Sequence, residues 1–317
     1  MPLELPEAPR LVLDAQLQPI VGSSFQPTGF ANLGAAEFTR PGGQPALLVE
    51  SVQSMANRLE EVGTEPATRE PIALLRDLPW IAVRGADGGL LTSSRLEPHR
   101  LASVYVREAR IDGEAGIDWL VARLGLRPKT PLSMPEIYRT IFQLDPLCLL
   151  HGVFFSDKKF SGNPKVRRVS TAVIEAHGVA PVVSGGLKRD DVQFTTSEQA
   201  GAEEGYGFVP FSRTEYVADE IVLSASLDLH QIRGYGLGGA ETRLLSLLAA
   251  WELATLLERP LRLRTACDLE LTSLRVRKPD GFVLPSAADL TAAVADAIAA
   301  VSFEQAGERT AVWTAKG

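Results

Sequence analysis

Two segments far apart in the chain alternate apolar and polar residues with a period of two. Leu11, Leu13, Ala15 and Leu17 interleave with Val12, Asp14, Gln16 and Gln18. Ile221, Leu223, Ala225, Leu227 and Leu229 interleave with Ser224, Ser226, Asp228 and His230. Successive side chains of a strand point to opposite faces, so each segment reads as a strand with one face buried and one open. Helical spacing occurs elsewhere. Leu48, Val52, Met55, Leu59 and Val62 recur at steps of four and three, which predicts a helix opening near Pro45. A stronger apolar helix is expected over 241–258, before Pro260, and an Ala-rich amphipathic helix over 287–301 closes the chain. The fold class is α+β.

The intervening chain fills in this frame. Residues 63–132 are less regular and read as an insertion, with a strand at Trp80–Val83 and a helix around His99–Val106. Ser133-Met-Pro-Glu136 is a capping box with an early proline, and the helix it opens should end before Asp145-Pro146. Apolar runs at His151–Phe155 and Val169–Ile174 predict two strands around a loop, and Leu261–Thr265 predicts another. Residues 181–216 carry Gly185, Gly186, Gly201, Gly205 and Gly207 with little periodicity, as in a projecting, partly mobile excursion. Without its additions, the order approximates the split βαβ of a ferredoxin-like or RRM-type fold, whose sheet often presents one face to nucleic acid.

Charge is distributed unevenly. The 317-residue chain has a net charge of −7, yet Asp157 to Arg168 holds five basic residues (Lys158, Lys159, Lys165, Arg167, Arg168) against one acid. A Gly- and Pro-containing basic loop on an acidic molecule is either an ordinary solvated hairpin or a localised polyanion site. The acidic total argues against nonspecific binding of bulk nucleic acid, but not against a shaped cationic groove. With 45% apolar and 22% charged residues the composition is that of a soluble globular protein. Glu252 interrupts the best membrane candidate, Leu244–Leu257, and the N-terminus lacks the marks of a signal peptide. Two cysteines, Cys148 and Cys267, suggest a reducing compartment, so the expected place is the cytoplasm.

Four further patterns bear on chemistry. Gly234-Tyr-Gly-Leu-Gly-Gly239 fits G-x-G-x-x-G between an expected strand and helix. It could cradle a dinucleotide, serve as a turn, or hold a nucleic-acid phosphate on its amides. The ribose-binding acid is misplaced for the first reading, since 20 residues on lies near Glu258. Asp268 and Glu270 share a strand face and read as solvated charge rather than a metal site. Cys148-x-x-His151 lacks two further zinc ligands and reads as core. Thr92–Arg100 reads as a capped helix start or a polar contact surface, the first being favoured. No nucleophile signature is present, so no catalytic residue, metal or cofactor is expected.

Five separated segments resemble one known family: Gln26-Pro-Thr-Gly-Phe-Ala-Asn-Leu-Gly34, Val49–Leu59, Asp145-Pro-x-x-x-Leu-His-Gly-Val-Phe154, Pro210–Tyr216 and Leu261–Glu270. The family is the Cas-seven backbone subunit of type I-U (I-G) CRISPR surveillance complexes. The resemblance implies a RAMP-superfamily fold with a modified RRM palm (10–24, 145–180, 217–275), a helical fingers insertion (about 45–140), a thumb (about 182–216) and a C-terminal helix (286–302). It implies a non-enzyme that polymerises head to tail on CRISPR RNA and presents it to a target DNA strand. Other Cascade subunits would be partners, and cleavage would be left to a helicase-nuclease. Candidate RNA contacts are Lys158, Lys159, Lys165, Arg167 and Arg168; Gln53, Ser54, Asn57 and Arg58 on the first helix; Gly236, Gly238, Gly239 and Arg243; and Gln26, Lys188 and Arg189. The alternatives are an RNA-cleaving type III-like backbone subunit using Asp157, and a dinucleotide-dependent oxidoreductase.

Overall fold

A computed structural model describes residues 3–30, 34–188 and 209–314. Its centre is a seven-stranded sheet: β1 (Leu11–Pro19), β2 (Glu37–Thr39), β3 (Pro45–Glu50), β4 (Ser170–His177), β5 (Glu220–Leu227), β6 (Leu261–Arg264) and β7 (Cys267–Lys278). The spatial order is β6-β7-β1-β5-β4-β3-β2, with every neighbouring pair antiparallel. Leu13 of β1 lies opposite Ala225 of β5, which lies opposite Ala172 of β4, so the apolar sets of three strands share one buried face. That alignment is what the period-two pattern demands, because a one-residue slip would turn each set to solvent.

Helices cover the buried face. α1 (Val52–Glu61) is capped by Ser51, whose hydroxyl accepts from the Ser54 amide, and buries Met55, Ala56 and Leu59. α2 (Met134–Leu144) starts after Ser133 as expected, although that serine makes no side-chain cap bond. α3 (Leu147–His151) is wholly buried. α4 (Gly239–Leu257) is apolar around its whole circumference, as befits a helix packed on several sides, and α5 (Ala287–Ala299) lies against it.

Three expectations are corrected. Pro45–Glu50 is a strand rather than the start of a helix, because its side chains pair with β4 and the helical spacing begins only after Ser51. It belongs to the main sheet, and α1 packs on that sheet. Of the two runs flanking the basic loop, only the second enters the main sheet. The first is helix α3 followed by the two-residue strand Val153–Phe154, which pairs with Lys165–Val166. Finally, Gly234–Gly239 follows the short helix Leu229–Gly234, not a strand.

A second, five-stranded sheet has the order Leu90–Ser93, Trp80–Arg84, Glu308–Val312, Arg110–Ile111, Glu114–Ala115. Its middle strand comes from the end of the chain and runs parallel to Trp80–Arg84, a pairing that local periodicity did not announce. The excursion rises as a two-stranded ribbon, Ala180–Lys188 with Val209–Val217. Arg189 and the remainder to 208 lie outside the described residues.

Candidate nucleic-acid interface

The basic loop is a stapled hairpin. Gly152 turns the chain out of α3 with φ +80°, and a Cβ there would meet the Val166 carbonyl oxygen at 2.8 Å, so only glycine fits. Val153 and Val166 face the core, while their neighbours Phe154, Lys165 and Arg167 point outward. Arg100, itself buried, grips both oxygens of Glu60 on α1 at 2.6 and 2.7 Å and donates to the Gly152 carbonyl at 3.0 Å. Arg168 donates to Gln53 Oε1 at 2.9 Å and to the Val52 and His151 carbonyls. These bonds fix the hairpin against the first turn of α1.

What remains outside is a cleft of about 390 Å³ lined by His99, Arg100, Phe154, Lys165, Arg167 and Arg168. Lys165 Nζ stands 5.5 Å from the centre of the Phe154 ring, which is 47% exposed. Burial, and then the nearby Arg100 charge, both lower the pKa of Arg168, so an anion in this cleft would relieve a local positive strain. Lys158 and Arg167 are exposed and their side chains have no ion pair among the described residues. Lys159 is paired with Asp118 at 2.7 Å. A planar aromatic beside exposed cations can take a base on its face and phosphates on the cations. The sequence reading did not single out Phe154. Its signal was the alternation within Val153-Phe154-Phe155, where only the middle residue faces out.

The other expected contacts are divided. Gln53 and Asn57 are exposed on α1 beside the hairpin. Ser54 and Arg58 are engaged inward with Glu50. Ser54 donates to that carboxylate, and Arg58 lies 3.5 Å from it while donating to the Leu263 carbonyl at 2.7 Å. Arg264 also pairs with Glu50, so this buried acid ties α1 to β6. Both side chains thus hold the fold together, where RNA contact had been expected. Gln26 lines a separate cleft of about 760 Å³ with Arg213, Tyr216 and Arg264, at the foot of the ribbon. Lys188 ends the first ribbon strand.

Gly236, Gly238, Gly239 and Arg243 stand apart from all of these. Gly236 takes φ +67°, which explains one glycine. The Glu241 carboxylate folds over Gly238, whose Cβ would sit 2.3 Å from Glu241 Oε2, so the start of α4 already has an anion. Arg243 donates to the Leu3 carbonyl, and the segment carrying Glu4 and Glu7 borders the same hollow. The turn is a helix start served by its own acid, which disfavours both the phosphate and the dinucleotide readings.

The open face of the main sheet has a different lining. Val12, Asp14, Gln16, Thr171, Val173, Glu175, Val222 and Ser224 contribute no aromatic and no cation. On β7 the same face carries two arginines, Arg277, paired with Asp14 at 3.0 Å, and Arg275, exposed and opposite Asp14 in the register. An RNA strand has nothing to stack on there. Cys148 and Cys267 are buried and unpaired. Among the described residues, no group of three or more His, Cys, Asp or Glu could hold a metal, and no helix is long and apolar enough to cross a membrane.

A mixed α+β protein with a negative net charge and a localised cationic cleft at the hairpin is the class that fold and charge define. The family model described as CRISPR-associated protein GSU0053 matches residues 11–181, and the chain belongs to that family. Among solved structures it is similar to a chain of a "CRISPR RNA-guided surveillance complex, pre-nicking", with 14% identity and a TM-score of 0.43, over 84% of this chain and 75% of that one. It is also similar to Csc2 of Thermofilum pendens, with 14% identity and a TM-score of 0.31, over 90% and 71%. No curated protein sequence matches the chain.

Proposed function

We propose that this chain is a non-catalytic backbone subunit of a CRISPR surveillance complex, whose copies assemble head to tail along the CRISPR RNA and hold it for pairing with a target DNA strand. Other subunits of the complex and a separate helicase-nuclease are the partners this reading implies. The observation that carries it is the cationic hairpin, built within the stretch that defines the family and presented on an otherwise acidic molecule. Lys158, Lys165 and Arg167 contact phosphates, Gln53 and Asn57 lie beside them, and Phe154 stacks a base. The order β7-β1-β5-β4, with α1 after β1 and α4 after β5, supports an RRM-type palm. The ribbon at 180–188 and 209–217 is the stem of the thumb, and the second sheet with its helices forms the fingers. The guide runs along the hairpin and α1 rather than across the open sheet face.

An RNA-cleaving role for Asp157 is disfavoured by its own bonds. Its Oδ1 accepts from the Lys159 amide at 3.0 Å and its Oδ2 from Arg107 at 2.6 Å. Those contacts, the amide first, hold its pKa below the usual carboxylate value and engage both of its oxygens within the fold.

Co-expression with a CRISPR array tests the proposal. The protein should co-purify with RNA and, by light scattering, its complexes should gain mass in steps as the spacer lengthens, because a head-to-tail contact does not close and the RNA limits its length. One fixed mass across spacer lengths, or a stable RNA-free dimer, would overturn it.

A further inference from the structure

A second cationic group lies at the far end of α1, and none of its members belongs to the hairpin. Arg69, in the turn after α1, Arg259, between α4 and β6, and Arg262, within β6, are all exposed. They line a hollow of about 560 Å³ floored by Val62, Leu96 and Leu256. Arg69 and Arg259 have no ion pair among the described residues, and Arg262 has only a 3.9 Å approach to Asp268 with its own side chain 83% exposed. The hollow does not stand alone. It shares Glu61, Thr64, Arg69 and Leu96 with a smaller cleft of about 180 Å³, and that cleft shares Pro98 with the hairpin cleft. The three clefts follow one another as a track beside the face of α1 that shows Gln53, Asn57 and Glu61, residues four apart and therefore on one stripe of the helix.

We infer that this track is a single-strand binding groove with two cationic ends, and that Arg69, Arg259 and Arg262 receive backbone phosphates several nucleotides beyond those held by Lys165 and Arg167. The inference rests on the RNA-binding function proposed above and extends the path of the strand. The ten residues of α1 span about 15 Å at 1.5 Å each. That length matches about four nucleotides at the ~3.4 Å rise of a stacked strand. Between the ends the lining is polar and includes three carboxylates: Glu60, held by Arg100, Glu97, held by Thr92 and Ser103, and the exposed Glu61. Phosphates are held at the ends, and the middle is crossed by groups that tolerate an acid, the ribose hydroxyls and base edges.

Fluorescence anisotropy on oligouridylates from about 3 to about 12 nucleotides separates the two ends, because the shorter strands reach only one. Arg69 has φ +61°, so it is replaced by asparagine, which tolerates that conformation, while Arg259→Ala and Arg262→Ala complete the triple variant. The variant should match the parent on the shortest strands. On the longest it should bind more weakly, with a salt slope smaller by up to about 2, at about 0.7 per lost phosphate contact. Glu61→Gln should act in the opposite direction and tighten the longer strands only. Equal slopes for variant and parent at every length, with hairpin substitutions still weakening binding, would overturn the second end and leave the function intact. If hairpin substitutions changed nothing either, the proposed function itself would fall, and this extension with it.

Discussion

At the 153–166 hairpin, cations stand in solvent around an exposed aromatic ring, and their carboxylate neighbours are few. At the start of α4, five turns of helix point their positive end at a glycine turn, yet Glu241 already covers it and Arg243 is turned toward the Leu3 carbonyl. Each region has the ingredients of an anion site. Only one has them unspent. Elements that could bind a ligand are often used within the fold, and what separates the two cases is whether a side chain of the same chain arrives first.

The sharpest way to break that contrast is charge removal. Replacing Lys158, Lys165 and Arg167 by alanine should lower guide affinity by roughly a hundredfold or more at low salt and reduce the salt slope by about 2, measured by titration at several salt concentrations. A slope that stays constant would place the strand elsewhere. Phe154→Ala should cost about 1–3 kcal/mol of binding, as for one stacked base, with Phe154→Trp restoring it. If leucine restores it as well as tryptophan, the ring is packing and not stacking.

A smaller effect concerns the core behind the hairpin. His151 Nε2 lies 3.0 Å from Glu252 Oε1, both buried. Burial pushes the carboxyl well up and the imidazole down to about 4, so the pair is neutral, with the acid donating to the ring. Folded Glu252 keeps a proton that the unfolded chain loses above its ordinary pKa. This raised group therefore stabilises at low pH and loses that contribution as pH rises. Folded His151 lacks a proton that the unfolded chain gains below about 6.5, so its contribution is lost as pH falls toward about 4. Each slope is about 1.4 kcal/mol per pH unit. Between about 4.5 and 6.5 the two oppose and stability should be flat, and above that range it should fall with pH. Denaturant melts of Glu252→Gln should abolish the fall at high pH and expose a decline below pH about 6.5. A variant whose profile matches the parent's would mean that the pair is charged in the fold.

The smallest effect is expected at the other region. Arg243→Ala should leave guide affinity within about twofold of the parent, because its guanidinium serves the N-terminal segment. A tenfold loss would restore the glycine turn as a phosphate site and erase the contrast.

Local periodicity made the long elements legible. The alternations at 11–17 and 221–229, and the helices at 134–144, 239–257 and 287–299, stand close to where their patterns placed them. Patterning failed where an element is short or is fixed by a distant partner. Leu48 satisfies a helical step, yet Pro45–Glu50 pairs with β4, since hydrogen bonding to an existing edge outweighs one well-spaced leucine. The Glu308–Val312 strand is intelligible only beside Trp80–Arg84, more than two hundred residues away.

The same division holds for the candidate site. Sequence alone determined the mixed architecture, the family resemblance and the location of the positive excess at 157–168, because each depends on residue order and charge, which folding does not alter. Tertiary structure decided which polar groups remain free. Ser54 and Arg58 looked like a contact face until Glu50 was buried beneath them, and the glycine turn looked vacant until Glu241 closed on it. Phe154 on the one hand, and Arg69, Arg259 and Arg262 on the other, looked unremarkable until the chain brought each set to the rim of a cleft. A side chain's availability depends on what packs within a few ångströms of it, and those neighbours come from segments that no local pattern connects.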